Sequence, residues 1–169
     1  TIAVESKTGA YAPSCTVDAF QASIVAGSPT QLTAKVKDHY GDDYTGSTAV
    51  EILLDGVLKR DLDEVAIKYE YAAKQKASNS NEWTSNIQAQ ISGTYNVSVK
   101  VKSSDGAMGL AGNKVHTLAV KAGAMSASHC TMSTSGSVIT EAGKANVIVV
   151  TARDEYGNRL TTGGAKFTL

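Results

Sequence analysis

At 169 residues the chain can bury a sizeable core and holds either one ordinary domain or one and a half small ones. Its 16 basic and 16 acidic residues cancel and are scattered without a basic block, which argues against nucleic acid or an anionic membrane surface as the principal partner. No apolar run approaches the roughly 20 residues that span a bilayer, so no membrane insertion is expected within this segment.

Residues 1–8 carry no signal-peptide pattern, and the missing initiator Met points to a piece of a longer parent chain. Thr1-Ile2-Ala3-Val4 returns as Thr117-Leu118-Ala119-Val120, an offset of about 116 residues. The run from Cys15, CTVDAFQASIVAGSPTQLTAKVKDHYGDD, likewise returns from Cys130 as CTMSTSGSVITEAGKANVIVVTARDEYGN with a one-residue slip. Ala26-Gly27 matches Ala142-Gly143, and Asp38-His39-Tyr40-Gly41 matches Asp154-Glu155-Tyr156-Gly157. This self-similarity predicts three pieces. Residues 1–10 are the last strand of one repeat plus a linker, 14–121 a complete repeat, and 125–169 the opening of a third that is incomplete.

Within the complete repeat the hydrophobic period is two, the signature of half-buried strands. Strands are predicted near 15–18, 30–38, 48–55, 64–73, 82–91, 93–102 and 114–121. Leu32, Ala34 and Val36 alternate with polar residues, as do Tyr95, Val97, Val99 and Val101, while Val65, Ile67, Tyr69 and Tyr71 alternate with Ala66, Lys68, Glu70 and Ala72. Trp83 opens a strand whose inward set is Trp83, Ser85, Ile87, Ala89 and Ile91. Pro13 and Pro29 fall at strand margins, where a missing N–H does no harm. Seven short strands punctuated by Gly, Asn, Asp and Ser turns give an all-β fold, an immunoglobulin-like β-sandwich repeated in tandem. The third repeat lacks the strands that would cover Val147, Val149, Phe167 and Leu169, which are therefore expected to face water.

Three fragments carry a family resemblance. Ala-Gly precedes a strand ending in Asp-x-x-Gly at Ala26-Gly27 to Gly41 and at Ala142-Gly143 to Gly157. Thr162-Gly163-Gly164 leads into Ala165-Lys166-Phe167-Thr168-Leu169, and Gly93-Thr94-Tyr95-Asn96-Val97 leads to an Ala122-Gly123 exit. In order and spacing these fragments resemble filamin-type immunoglobulin-like repeats, in a divergent form similar to surface proteins of protists, algae and plant gametes. The chain departs from that pattern at Thr45-Gly46-Ser47, where the Gly-Gly pair is missing, and in an insert-like stretch from Ala73 to Asn81. The resemblance implies an array module that acts as spacer and protein contact surface. It also implies strand addition by a partner peptide along an edge formed by Val50, Ile52 and Leu54 with Val65, Ile67 and Tyr69.

The remaining candidate sites are few. Each Asp-x-x-Gly is read as a turn in which Asp accepts backbone N–H groups and Gly takes a positive φ, because the loops offer too few carboxylates for the 6–8 oxygens of calcium. No metal site and no cofactor are expected. Cys15 and Cys130 occupy equivalent places, one per repeat, so neither has a partner within its own sandwich; they are half-buried free thiols or pair with another molecule. Asn96-Val97-Ser98 is the one N-glycosylation sequon, and the alternation points Asn96 away from the core. His39, His116 and His129 are dispersed with no activated nucleophile, so the chain is read as non-enzymatic. Its expected partners are proteins: neighbouring repeats, other copies of the chain or a surface receptor. An extracellular or cell-surface adhesive fibre is favoured by the sequon and the Ser/Thr content, and an intracellular actin-linked scaffold by the unpaired thiols.

Overall fold

A computed structural model of the chain describes residues 9–60, 63–134, 147–164 and 166–168. The Thr1–Val4 match, Ala142-Gly143 and Leu169 lie outside the described residues. Strands are numbered in chain order: β1 (Thr16–Val17), β2 (Ser23–Val25), β3 (Thr30–Lys35), β4 (Val50–Arg60), β5 (Asp63–Ala72), β6 (Lys74–Gln75), β7 (Glu82–Ile87), β8 (Gly93–Lys102), β9 (Met108–Lys121), β10 (Thr131–Thr134) and β11 (Ile148–Thr151). Two single-turn helices, Ala12–Ser14 and Ala127–His129, precede β1 and β10.

Two sheets face each other. One is ordered β1-β3-β7-β6 and the other β2-β9-β8-β4-β5, while β10 and β11 pair separately. All pairings are antiparallel except β2 with β9. Alternation drives the assembly, since a strand with one apolar face gains only when a second sheet covers it. Leu32, Ala34, Val36, Trp83 and Ile87 come from one sheet. Ile52, Leu54, Tyr95, Val97, Val99, Val101, Leu118 and Val120 come from the other, and all are buried. Tyr95 sits at the start of β8 with its hydroxyl donating to the Ile91 carbonyl at 2.7 Å, a corner typical of immunoglobulin-like sandwiches. Burial pushes its phenol well above the ordinary tyrosine range.

Several strand expectations are corrected. The segment read as one strand at 15–18 is followed by a second, β2, on the opposite sheet, so the first strand is split between the two layers. β4 runs on to Arg60 as a long hairpin with β5, and β7 ends at Ile87. The stretch read as an insert carries β6, where the chain leaves one sheet after Ala72 and joins the other at Lys74. β9 begins at Met108, earlier than predicted, because left-handed Gly112 and Asn113 (φ 59° and 54°) do not end the strand. Ser98 pairs with Val115 and Lys100 with Leu110, so residues 111–114 are accommodated opposite Val99 as a bulge. Ile67, expected inside, is only half-buried because β5 is the outermost strand of its sheet.

In the C-terminal part, Val147, Val149 and Phe167 are 60%, 50% and 46% exposed.

Leu54→Ala, at a fully buried position, is expected to lower the unfolding free energy by about 2–5 kcal/mol in urea denaturation. Val57→Ala, on the same strand but 67% exposed, should stay within about 0.5 kcal/mol of wild type. Equal effects would show that the inward register of β4 is wrong.

Candidate functional site: a docked loop and an open sheet edge

The two Asp-x-x-Gly loops share one hydrogen-bond plan. In the first, Asp38 Oδ1 accepts from the backbone N–H of Tyr40 and of Asp42, each at 2.9 Å, and Gly41 N–H donates to the Asp38 carbonyl at 3.2 Å. In the second, Asp154 Oδ1 accepts from Tyr156 N–H (3.0 Å) and Asn158 N–H (2.8 Å), and Gly157 N–H donates to the Asp154 carbonyl at 3.0 Å. Lys37 Nζ and Arg153 Nη1 each donate to the glycine carbonyl of their loop at 2.8 Å. Gly41 and Gly157 have φ of 88° and 79°, as the turn requires. The equivalence extends to the cysteines, since Cys15 Sγ and Cys130 Sγ each donate to a carbonyl four residues earlier, at 3.3 Å.

The loops differ in what they touch. Asn158 reaches across to the sandwich, where its Nδ2 donates to the Gln90 carbonyl at 2.7 Å and its Oδ1 accepts from Ser92 N–H at 2.8 Å. The second carboxylate oxygen of Asp154 accepts from Gly123 N–H and from Asn158 Nδ2, both at 2.8 Å. Asp154 is fully buried. Desolvation works to raise its pKa, but the four N–H donors outweigh it and hold the carboxyl below its ordinary value. Tyr156 lies over Gly27, where a Cβ would stand 2.2 Å from its hydroxyl oxygen; only a residue without a side chain admits the ring. The counterpart of Tyr156 in the first loop, Tyr40, is 62% exposed. Its ring meets only the edge of His39, with centroids 5.7 Å apart, among the ring contacts of the described residues.

Sequence motifs marked Asp154, Gly157 and the Ala26-Gly27 and Ala122-Gly123 steps, but not their meeting. Gln90 and Ser92 carried no signal, since their contribution is main-chain. Asn158 stands where the first loop has Asp42, and that difference was the one visible hint of a different environment.

The other candidates are dispersed. Cys15 is fully buried and its thiol is pushed up by burial, so it is not presented to another molecule; Cys130 is half-buried, and both are free. Asn96 is exposed on the outer face of β8, opposite Asp55 and Thr117. The expected edge of β4 with β5 is corrected. β4 is internal, with Ile52 and Leu54 paired to both β5 and β8 and Val50 to β8, and those three side chains are buried. Of the two strands it is β5 that lies outermost among the described residues, with Val65, Ile67 and Tyr69 half-buried on its inner face.

No family model and no curated protein sequence matches the chain. Among solved structures, invasin, described as a bacterial integrin-binding protein, aligns over 90% of this chain and 28% of its own length at 18% identity and TM-score 0.55. The adhesin FdeC of Escherichia coli aligns over 90% of this chain and 44% of its own at 19% identity and TM-score 0.56. InvD of Yersinia pseudotuberculosis aligns over 89% and 44% at 19% identity and TM-score 0.53. The chain thus spans less than half the length of these neighbours. The likeness is one of fold, an immunoglobulin-like β-sandwich, and the filamin-type resemblance gains no support.

Two outcomes are expected of this site. Gly41→Val should destabilise the sandwich by about 1–3 kcal/mol through backbone strain alone, because a Cβ there meets nothing within 4 Å; thermal melting measures it, and an unchanged midpoint contradicts the turn. The depressed pKa of Asp154 means that its stabilisation is complete above the unfolded value of about 3.9 and is lost as pH falls through the folded one. A carboxyl-carbon NMR titration should place the Asp154 midpoint below that of an exposed aspartate, with the Gly123 and Asn158 amide signals moving in step. A midpoint at or above the exposed value would refute the network.

Proposed function

We propose that the chain is a segment of a non-enzymatic array of immunoglobulin-like sandwiches joined end to end through Asp-x-x-Gly loops, working as a spacer and contact surface in an adhesive cell-surface or extracellular protein. The observation that carries this reading is one loop used twice. Its second copy is docked on the complete sandwich through Tyr156 and Asn158, and its first copy presents Tyr40 to solvent at the other end. A module with a receiving face at Gly27, Gln90, Ser92 and Gly123 and an offering loop at Asp38–Asp42 propagates head to tail, each unit touching only its neighbours. The sequence repeat gives the same spacing. The surface location draws support from the adhesin and integrin-binding descriptions of the structural neighbours, and the expected partners remain proteins.

The test is rotational diffusion by backbone nitrogen relaxation on the 169-residue chain. Residues 9–121 and the β10–β11 hairpin should share one correlation time, and Asn158→Ala, which leaves Ser92 N–H and the Gln90 carbonyl unpaired, should let the hairpin move faster. Independent motion in the wild type would remove the basis for a jointed array. Protease treatment of intact source cells should cleave the parent protein; full protection with lysis-dependent cleavage would sink the surface assignment.

A further inference from the structure

The outer edge of β5 has no strand beyond it among the described residues, and it is more specific than an open edge need be. Ala73 N–H donates to the Val50 carbonyl at 2.9 Å, and the register pairs Glu51 with Ala72 and Ile52 with Tyr71. In an antiparallel ladder, residues alternate between bonding to one neighbour and to the other side. The odd residues of β5 therefore bond to β4, and the N–H and C=O groups of Ala66, Lys68, Glu70 and Ala72 point outward, away from the sheet. The side chains of these same four residues lie on the exposed face, with Lys68 and Glu70 60% and 70% exposed and paired to each other at 2.5 Å.

We propose that this edge pairs with the β5 edge of a second copy of the chain, antiparallel, about a two-fold axis through Tyr69. The occupant follows from charge. Two identical strands paired antiparallel can meet only in registers where residues of the same face stand opposite. Centred on Lys68, the pairing sets Lys68 against Lys68; centred on Glu70, it sets Glu70 against Glu70; centred on Ile67, it sets Glu64 against Glu70. Centred on Ala66, it sets Glu64 against Lys68 but gives Glu70 no opposite charge across the interface, a register in which Glu70→Lys would leave dimerisation unchanged. Centred on Tyr69, it sets Lys68 of each copy opposite Glu70 of the other and Ala66 opposite Ala72, and these are the residues whose main-chain groups are free to bond across. On the inner face the same register brings Ile67 beside Tyr71 and Tyr69 beside its own copy. Charged residues at an edge commonly prevent strand addition, and a lone Lys68 would do so. Followed by Glu70, it instead rejects strands of other patterns and accepts its own. The interface is isologous and closes at two copies. It lies along the side of the sandwich, so it joins arrays laterally and does not compete with the end-to-end junction.

The test uses sedimentation equilibrium on the whole 169-residue chain. Wild type should self-associate reversibly to a dimer below about 1 mM, the range of a small interface. Lys68→Glu and Glu70→Lys alone should each weaken dimerisation by about tenfold or more, because each sets like charges opposite each other in the dimer. Mixed one to one, the two variants should form a heterodimer as tightly as wild type, since Glu at 68 then faces Lys at 70 and the native Glu70 faces the native Lys68. This rescue separates pairing from folding, because neither variant regains its own internal Lys68–Glu70 contact by mixing. A wild type that stays monomeric to about 1 mM, single variants that dimerise like wild type, or a mixture that fails to pair would each overturn the proposal.

Discussion

Every strand of the sandwich must hide one face, and most of the architecture follows from that. Because successive side chains point to opposite sides, the inward set of a strand is fixed once one of its residues is fixed, and a slip of one residue would expose the whole set. β8 illustrates this. Tyr95, Val97, Val99 and Val101 are all buried, and their strand is central, gripped by β4 and β9. β9 has to absorb residues 111–114 without changing faces, and a bulge containing two left-handed residues lets Leu118 and Val120 still reach the core. β5, outermost in its sheet with β4 as its one neighbour among the described residues, keeps Val65, Ile67 and Tyr69 only half-buried.

The junction is built on a different principle. Where the core is apolar and tolerant of volume-conserving exchange, the contact between the sandwich and the second Asp-x-x-Gly loop is a closed set of hydrogen bonds around a buried carboxylate. Such a network is favourable only when every member is satisfied, and here all four carboxylate bonds come from N–H donors of fixed position. This gives orientation more than affinity. Asn158 ties the loop to main-chain atoms at Gln90 and Ser92, so the contact constrains backbone geometry at the receiving end and leaves the side chains there open to variation.

What could be read from sequence was what has a period or a local rule. The inward residues of β3, β7 and β8 were legible because alternation over six to ten residues is hard to produce otherwise. The Asp and Gly of each loop were legible because a short carboxylate and a missing Cβ have few other uses at that spacing. Three features were not. The split of the first strand between sheets leaves segments of two and three residues, too short for any period. The start of β9 was hidden because Gly112-Asn113 is ordinarily a turn signal. The meeting of Tyr156 with Gly27 joins residues 129 positions apart (156 − 27), and only the folded chain brings them together. The expected β4–β5 edge failed for a related reason, since alternation shows that a strand has a dry face but not how many neighbours it has.

The parallel pairing of β2 with β9 bears on how the chain responds to tension. These strands lie near the beginning and the end of the sandwich, so a pull on its two ends slides one along the other in opposite directions. The bonds from Ala119 N–H to Ala22 and from Ala26 N–H to Lys121, at 2.9 and 2.8 Å, bracket the paired segment and are loaded together with it. Sheared bonds of this kind must break at once, whereas those of a hairpin opened from its tip break one after another. The sandwich therefore resists stretching through the barrier to unfolding and not through its equilibrium stability, and a segment of only three residues carries that sheared contact.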